Sequence, residues 1–221
     1  MAYVDFISEL HKKSDRDYRE RVLEFEKADC AKIAKKWGYD YWDGARQYGF
    51  GGYHYDGRWR VVAEKMAKHY NLKAGDHILD IGCGKGYLLY EFTQVVPGIN
   101  VKGIDISEYA IEHSKEEIRP FLELSGADTL PFDDASQDFI FSVTTLHNLF
   151  NYELFNSLKE IERVCKDGKS HITVESYRNE IEKANLLYWQ LTCETFYTPT
   201  EWEWFFLQAD YSGDYGCIYF E

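Results

Sequence analysis

Asp80-Ile81-Gly82-Cys83-Gly84-Lys85-Gly86 sets a carboxylate two residues ahead of three glycines at alternate positions. Glycine lacks a Cβ, so such a run lets the backbone turn sharply and lie directly against a ligand. The residues before it, His77–Ile81, read as a strand, and a helix pattern opens near Tyr87. A strand-to-helix turn of this kind is where nucleotide-like ligands meet backbone N–H groups. A dinucleotide fingerprint spaces its glycines G-x-G-x-x-G; here the third comes one residue early. Further along, Asp105 closes a second strand-like segment, Val101–Ile106. A carboxylate about 20 residues beyond a glycine turn can accept both hydroxyls of a ribose. A ligand-free connection explains the glycines alone and solvation explains the aspartate alone, but neither explains their coincidence.

These residues need a scaffold. Short β-branched segments at His77–Ile81, Val101–Ile106, Phe139–Val143 and Ile172–Val174 alternate with helix patterns. Among the latter are Glu108–Ile118, with Ser107 as N-cap, and a stripe of Leu154, Leu158, Ile161 and Cys165. That alternation predicts an α/β fold, a doubly wound and mostly parallel sheet covered on both faces. Ligands then bind outside the carboxyl ends of the strands, where the winding reverses. Residues 1–58 predict an N-terminal helical and loop extension, and 59–221 the ligand-binding unit, one domain overall. Ala2–Lys36 reads as one or two charged helices. The stretch from Tyr39 to Trp59 mixes aromatics with glycines and reads as a structured loop. A helix then runs to Tyr70, with Trp59, Val62, Ala63, Met66, Ala67 and Tyr70 on one face. Near the end, a helix with Trp202, Phe205, Phe206 and Ala209 inward precedes a last strand around Tyr215–Phe220.

Composition narrows the function classes. A net charge of −13 over 221 residues argues against nucleic acid and anionic membrane as partners. The five cysteines (Cys30, Cys83, Cys165, Cys193, Cys217) form no CxxC pair, which disfavours a metal site and fits a reducing cytoplasm. No apolar run reaches membrane-span length, and Met1–Lys13 does not read as a signal peptide. The expected partners are a small-molecule acceptor and, at most, a second copy of the chain.

Taken in order, Asp80–Gly86, Gly103-Ile104-Asp105-Ile106-Ser107, Ala127-Asp128-Thr129-Leu130-Pro131-Phe132 and Phe139–Leu149 resemble the successive motifs of class I S-adenosylmethionine-dependent methyltransferases, across roughly the central half of the chain. The resemblance implies a Rossmann-like fold with S-adenosyl-L-methionine as cofactor. It sets Gly82, Cys83, Gly84 and Gly86 against the methionine and ribose, and Asp105 on the ribose hydroxyls. Ile106 would pack on the adenine, Asp128 would accept from its amino group beside Ala127 and Thr129, and Asp80 would reach the ammonium. Ser142, near the end of the Phe139–Val143 strand, and Tyr48, from the loop, complete the expected cofactor set. The chain departs from the family pattern in two places. Lys166-Asp167-Gly168-Lys169 stands where relatives often have Pro-Gly-Gly, and one clear strand rather than two follows the last helix.

Methyl transfer from a sulfonium is an in-line displacement, so the acceptor must mainly be aligned. Polar residues following the Phe139–Val143 and Ile172–Val174 strands are candidates for handling its proton: Thr144, Thr145, His147 and Asn148, then Glu175, Tyr177 and Arg178. His147 is the favoured base because an ordinary imidazole titrates near neutrality, and Glu175 is the backup. The aromatic-glycine loop is expected to fold over the site as a lid, with Tyr53, and also Tyr48 and Tyr55, offering hydroxyls. Arg46 and Arg58 are candidates for holding an anionic acceptor. The loop, together with Leu191-Thr192-Cys193 and Trp202-Glu203-Trp204, is similar to methyltransferases of bacterial surface-polysaccharide gene clusters, which implies a sugar or phosphorylated precursor as acceptor. Aminopropyl transfer, a non-catalytic cofactor-binding subunit and an NAD-dependent oxidoreductase are the alternatives.

Overall fold

The computed structural model describes residues 1–10, 18–19 and 23–221. Six strands form one sheet: β1 (His77–Ile81), β2 (Asn100–Asp105), β3 (Leu122–Leu124), β4 (Phe139–Val143), β5 (Ser170–Glu175) and β6 (Asp214–Ile218). Their spatial order is β3-β2-β1-β4-β5-β6, and every pairing is parallel. The chain winds outward from β1 through β2 to β3, then returns to β4 on the other side of β1. The reversal therefore lies between β1 and β4, and it opens the crevice at their carboxyl ends.

Helices cover both faces. On one side α3 (Arg60–Tyr70) and α4 (Tyr87–Val95) bury Val62, Met66, Leu89 and Phe92 against Ile78, Phe139 and Phe141. On the other, α6 (Asn151–Val164) and α8 (Pro199–Gln208) bury Leu158, Ile161, Trp202 and Phe206 against Leu79, Ile140 and Ile172. The opposite destinations of Ile78 and Leu79, and of Phe139 and Ile140, follow from the two-residue period of a strand. Each such side chain contributes about 1.5–3 kcal/mol on burial. Helix α8 starts from a capping box in which Thr198 and Glu201 satisfy each other's backbone, with Pro199 at its first turn.

Several elements depart from expectation. Tyr3 lies beside Tyr215 in a parallel bridge, with the Val4 N–H donating to the Tyr215 carbonyl at 2.8 Å, so the segment at the start of Ala2–Lys36 covers the sheet edge instead of forming helix. A helix of that stretch is seen at α1 (Lys27–Ala34); residues 11–17 and 20–22 of the expectation lie outside the described ones. Within the aromatic-glycine loop, Tyr39–Trp42 makes one helical turn, α2, and Arg46–Tyr48 a 3-10 turn. Helix α5 (Glu108–Glu112) is shorter than Glu108–Ile118, although Ser107 caps it as expected, its Oγ accepting from the Ala110 N–H at 3.0 Å. Strand β3 and helix α7 (Glu180–Trp189) were not anticipated. The first is too short to establish a period, whereas Asn179, which caps the second through two N–H groups, was a usable signal.

Candidate functional site

The glycine turn leaves β1 and is hooked onto β2, because the Gly82 and Cys83 N–H groups both donate to the Ile104 carbonyl, at 2.8 and 3.0 Å. Gly82 and Gly84 hold φ of 79° and 53°, a left-handed backbone that side chains resist. Neighbours also exclude a Cβ: one on Gly82 would meet Thr145 Oγ1 at 2.1 Å, and one on Gly84 the Trp42 ring at 2.7 Å. The turn faces Asp105, whose Oδ2 accepts from the Gly84 N–H at 2.7 Å and whose Oδ1 accepts from the Ser107 N–H at 2.8 Å. A carboxylate has about four acceptor positions, so capacity for a further donor remains.

A cavity of about 340 Å³ opens over this turn. Asp80, Gly82, Cys83, Gly84, Asp105, Ile106, Ala127 and Asp128 line it. Much of the remaining lining is aromatic: Trp37, Tyr41, Trp42, Phe50, Tyr53 and Trp59, with Tyr87 from α4. The lining includes no lysine, arginine or histidine among the described residues. Asp80 is 4% exposed, and no hydrogen bond from a described residue reaches its carboxylate. Burial, and then the charge of Asp105, hold its carboxyl well above the usual carboxylate range. Burial likewise raises Asp105, against the pull of its backbone hydrogen bonds. At the end of β4, Thr144 lines the cavity with φ of 57°, an uncommon and strained state for a β-branched residue.

The aromatic wall is fastened to the domain by polar contacts. The Trp42 Nε1–H donates to Ser107 Oγ at 2.8 Å. Asp43 accepts from Lys85 Nζ at 2.7 Å through each oxygen, and from Tyr109 Oη at 2.8 Å. Tyr53 stacks on Tyr87, and its Oη accepts from the Trp59 Nε1–H at 2.9 Å; burial pushes that hydroxyl's pKa up, so it is no base at neutral pH.

The structure thus brings together Asp80, Gly82, Cys83, Gly84, Asp105, Ile106, Ala127, Asp128 and Tyr53. Six expected site residues do not line the cavity. Gly86 caps α4, and the space beside it is filled by Ile118, 2.8 Å from where a Cβ would stand. Ser142 is fully buried and donates to the Ile81 carbonyl of the neighbouring strand at 2.9 Å. Thr129 is exposed to solvent. Tyr48 packs beside Cys30, Ala34 and Leu191, drawn there by the apolar face of α1. His147 and Glu175, the fifth and sixth, are covered. The arginines offered for an anion are engaged elsewhere: Arg46 donates to the Gly49 and Phe50 carbonyls, and Arg58 pairs with Asp56. Trp37, and the pairing of Lys85 with Asp43, carry no signal in the sequence, for no local pattern links the glycine turn to a segment about forty residues earlier.

His147 and Glu175 form a buried, neutral pair behind the wall. His147 Nδ1 accepts from the Glu175 N–H at 3.3 Å, its Nε2 lies 3.5 Å from Glu175 Oε2, and burial pushes its pKa down to about 3. Burial pushes the Glu175 carboxyl up to about 8, while a Gln190 amide donates to it. A base held near 3 takes few protons at neutrality, so His147 is not poised for the role assigned to it. The pair does make stability depend on pH. Folded Glu175 keeps its proton up to about pH 8, whereas the unfolded chain releases it near 4.5. Unfolding therefore sheds a proton in that window, and stability falls as pH rises through it, by up to about 5 kcal/mol. His147 acts in the opposite direction, costing stability as pH falls from 6.5 toward about 3. Glu175→Gln is expected to flatten the alkaline limb alone, so its melting temperature should exceed the parent's near pH 8 but not near about pH 5. Parallel melting curves across that range would show that Glu175 is not held neutral.

The residues present fit S-adenosylmethionine. Asp80, a buried carboxyl with no hydrogen-bond partner among the described residues, fits a cation such as the methionine ammonium. Asp105 has spare acceptor capacity for ribose hydroxyls, and Ile106, 55% exposed, offers an apolar surface to a purine ring. Among the described residues no cluster of His, Cys, Asp or Glu could hold a metal, and no helix is long and apolar enough to cross a membrane.

Comparison with known proteins adds family evidence. A family model described as "Methyltransferase domain" matches residues 79–173, and one described as "Protein-L-isoaspartate(D-aspartate) O-methyltransferase" matches residues 9–125. A demethylmenaquinone methyltransferase from Symbiobacterium thermophilum is 31% identical over 157 residues, covering 66% of this chain and 60% of its own. A 27-O-demethylrifamycin SV methyltransferase from Amycolatopsis mediterranei is 29% identical, covering 48% of this chain and 41% of its own. The chain thus spans 60% or less of the length of these relatives. Among solved structures, a chain of the Haloferax volcanii complex with the Trm112 methyltransferase activator superposes with a TM-score of 0.55 at 24% identity, covering 70% of this chain and 72% of that one. The YcgJ protein of Bacillus subtilis gives 0.54 at 20% identity, covering 66% of each. At these identities the structural likeness speaks for the fold.

Proposed function

The chain belongs to the class I S-adenosylmethionine-dependent methyltransferases, and we propose that it transfers a methyl group from S-adenosylmethionine to a small, uncharged, ring-shaped acceptor. The observation carrying this reading is the cavity itself: two buried carboxyl groups at the glycine turn share it with a set of aromatic rings, and its lining contains no cation.

When bound, the cofactor supplies a methyl group already activated by its sulfonium. The chain has to hold, align and dry the reactants. Asp105 would hold the ribose hydroxyls and Asp80 the ammonium, so that the cofactor is kept in one place at the glycine turn. Trp42, Phe50 and Tyr53 offer flat faces against which a planar or ring-shaped acceptor stacks, and their bulk excludes water. A phosphorylated precursor finds no lysine or arginine in this lining, so the acceptor expected from the sequence narrows to an unphosphorylated one. An uncharged sugar stays within scope through its apolar face. The relatives named for demethylmenaquinone and 27-O-demethylrifamycin SV are consistent with a ring-bearing acceptor. The titratable groups of the lining are carboxyls, tyrosine hydroxyls and the Cys83 thiol, and burial pushes the thiol up.

Label transfer from methyl-labelled S-adenosylmethionine tests the proposal, with quinols, phenols, amines, free sugars, sugar phosphates and an isoaspartyl peptide as acceptors. Transfer to an uncharged ring compound and not to its phosphorylated counterpart is expected. Preference for the phosphorylated compounds or the peptide would overturn the acceptor class. Tight binding of the demethylated product with no transfer to any acceptor would favour a cofactor-binding subunit.

A further inference from the structure

The aromatic wall rests on the two segments that handle the cofactor. Lys85 stands between Gly84 and Gly86, and its side chain is 3% exposed. Its Nζ donates to both oxygens of Asp43 at 2.7 Å and to the Tyr53 carbonyl at 2.9 Å. Asp43 accepts in addition from the Tyr53 N–H at 3.1 Å and from Tyr109 Oη at 2.8 Å, which fills its acceptor capacity. The preceding residue, Trp42, lies against Gly84 and donates to Ser107 Oγ. Gly84 and Ser107 in turn donate to the two oxygens of Asp105. An unbroken chain of contacts therefore runs from the ribose carboxylate, through the glycine turn, to Trp42 and Tyr53 in the acceptor wall. A turn of this shape needs small residues, not a buried ammonium, and a buried ammonium is tolerated only with full compensation.

We infer that Lys85 and Asp43 are positioning residues whose buried ion pair ties closure of the acceptor wall to occupancy of the cofactor turn. A ligand that orders the turn then lowers the cost of ordering residues 39–59, and by linkage an ordered wall favours the cofactor equally. The inference rests on S-adenosylmethionine binding at the turn and is independent of which acceptor is used.

The test combines calorimetry with amide hydrogen exchange, using S-adenosylhomocysteine as probe. In the parent chain the probe should slow exchange across residues 39–59 by about tenfold or more. In Lys85→Met it should still bind, yet leave exchange in 39–59 within about twofold of the ligand-free rate. Asp43→Asn should behave alike, Lys85→Arg should recover part of the protection, and the double variant should lose no more than either single one, the signature of a pair. Melting curves identify any variant that is unfolded, and the remaining one carries the result. Undiminished protection in both folded single variants, or additive losses in the double, would overturn the inference. Failure of the parent chain to bind the probe removes its premise, and calorimetry reads that separately.

Discussion

Asp105→Ala is expected to weaken binding of S-adenosylhomocysteine by at least about 100-fold, a loss of about 2.7 kcal/mol. Two effects act together. The carboxylate at the end of β2 has acceptor capacity left over after serving the Gly84 and Ser107 N–H groups, and charge-assisted bonds to hydroxyls there contribute about 1.5–3 kcal/mol each. Removing it also leaves those two N–H groups without their acceptor, which loosens the turn and should lower the melting temperature. Asp105→Asn separates the contributions, since its one oxygen still serves one N–H while the charge is gone. Its affinity should fall nearly as far as that of the alanine variant, with a smaller loss of stability. Calorimetry and thermal unfolding read the two quantities independently. Native affinity in Asp105→Ala would remove this carboxylate from the cofactor site.

Gly82→Ala is the second change with a large expected effect. At φ of 79° an added Cβ is strained whatever the space, and here it would also overlap Thr145 Oγ1 at 2.1 Å and Cγ2 at 2.2 Å. Backbone strain of about 1–3 kcal/mol combines with an overpacking cost of similar size. Relaxation has to move either the Thr144–Thr145 corner or the turn, and both line the cavity. Loss of measurable binding of S-adenosylhomocysteine is therefore expected, with a melting temperature several degrees lower. Thr145→Ala in the same chain relieves the overlap but not the left-handed backbone, so the double variant should recover part of the stability and little of the affinity. A Gly82→Ala variant that binds normally would mean that the ligand does not approach this part of the turn.

The amino-acid sequence alone determines what the chain settles locally. Glycines at 82 and 84 and the β-branched runs around them report backbone sterics and a two-residue period, which act over a few bonds. They marked the strands β1, β2, β4 and β5, the turn, and Asp105 at the tip of the second strand. The core face of α3 was legible for the same reason, because Val62, Ala63, Met66 and Tyr70 recur at helical spacing. Which polar groups face the cavity was not legible. His147 and Glu175 do stand at strand ends, but the 190–193 segment packs over them, with Gln190 on the Glu175 carboxyl and Leu191 and Thr192 buried, and turns a candidate base into a neutral support. Lys85 reads in the chain as a charged residue in a loop. Only packing of a segment some forty positions earlier buries its ammonium and supplies Asp43 as its partner. Local geometry follows from neighbours in the chain. The burial that sets a charge or a proton depends on contacts between distant segments, which form when the sheet and its covering layers assemble.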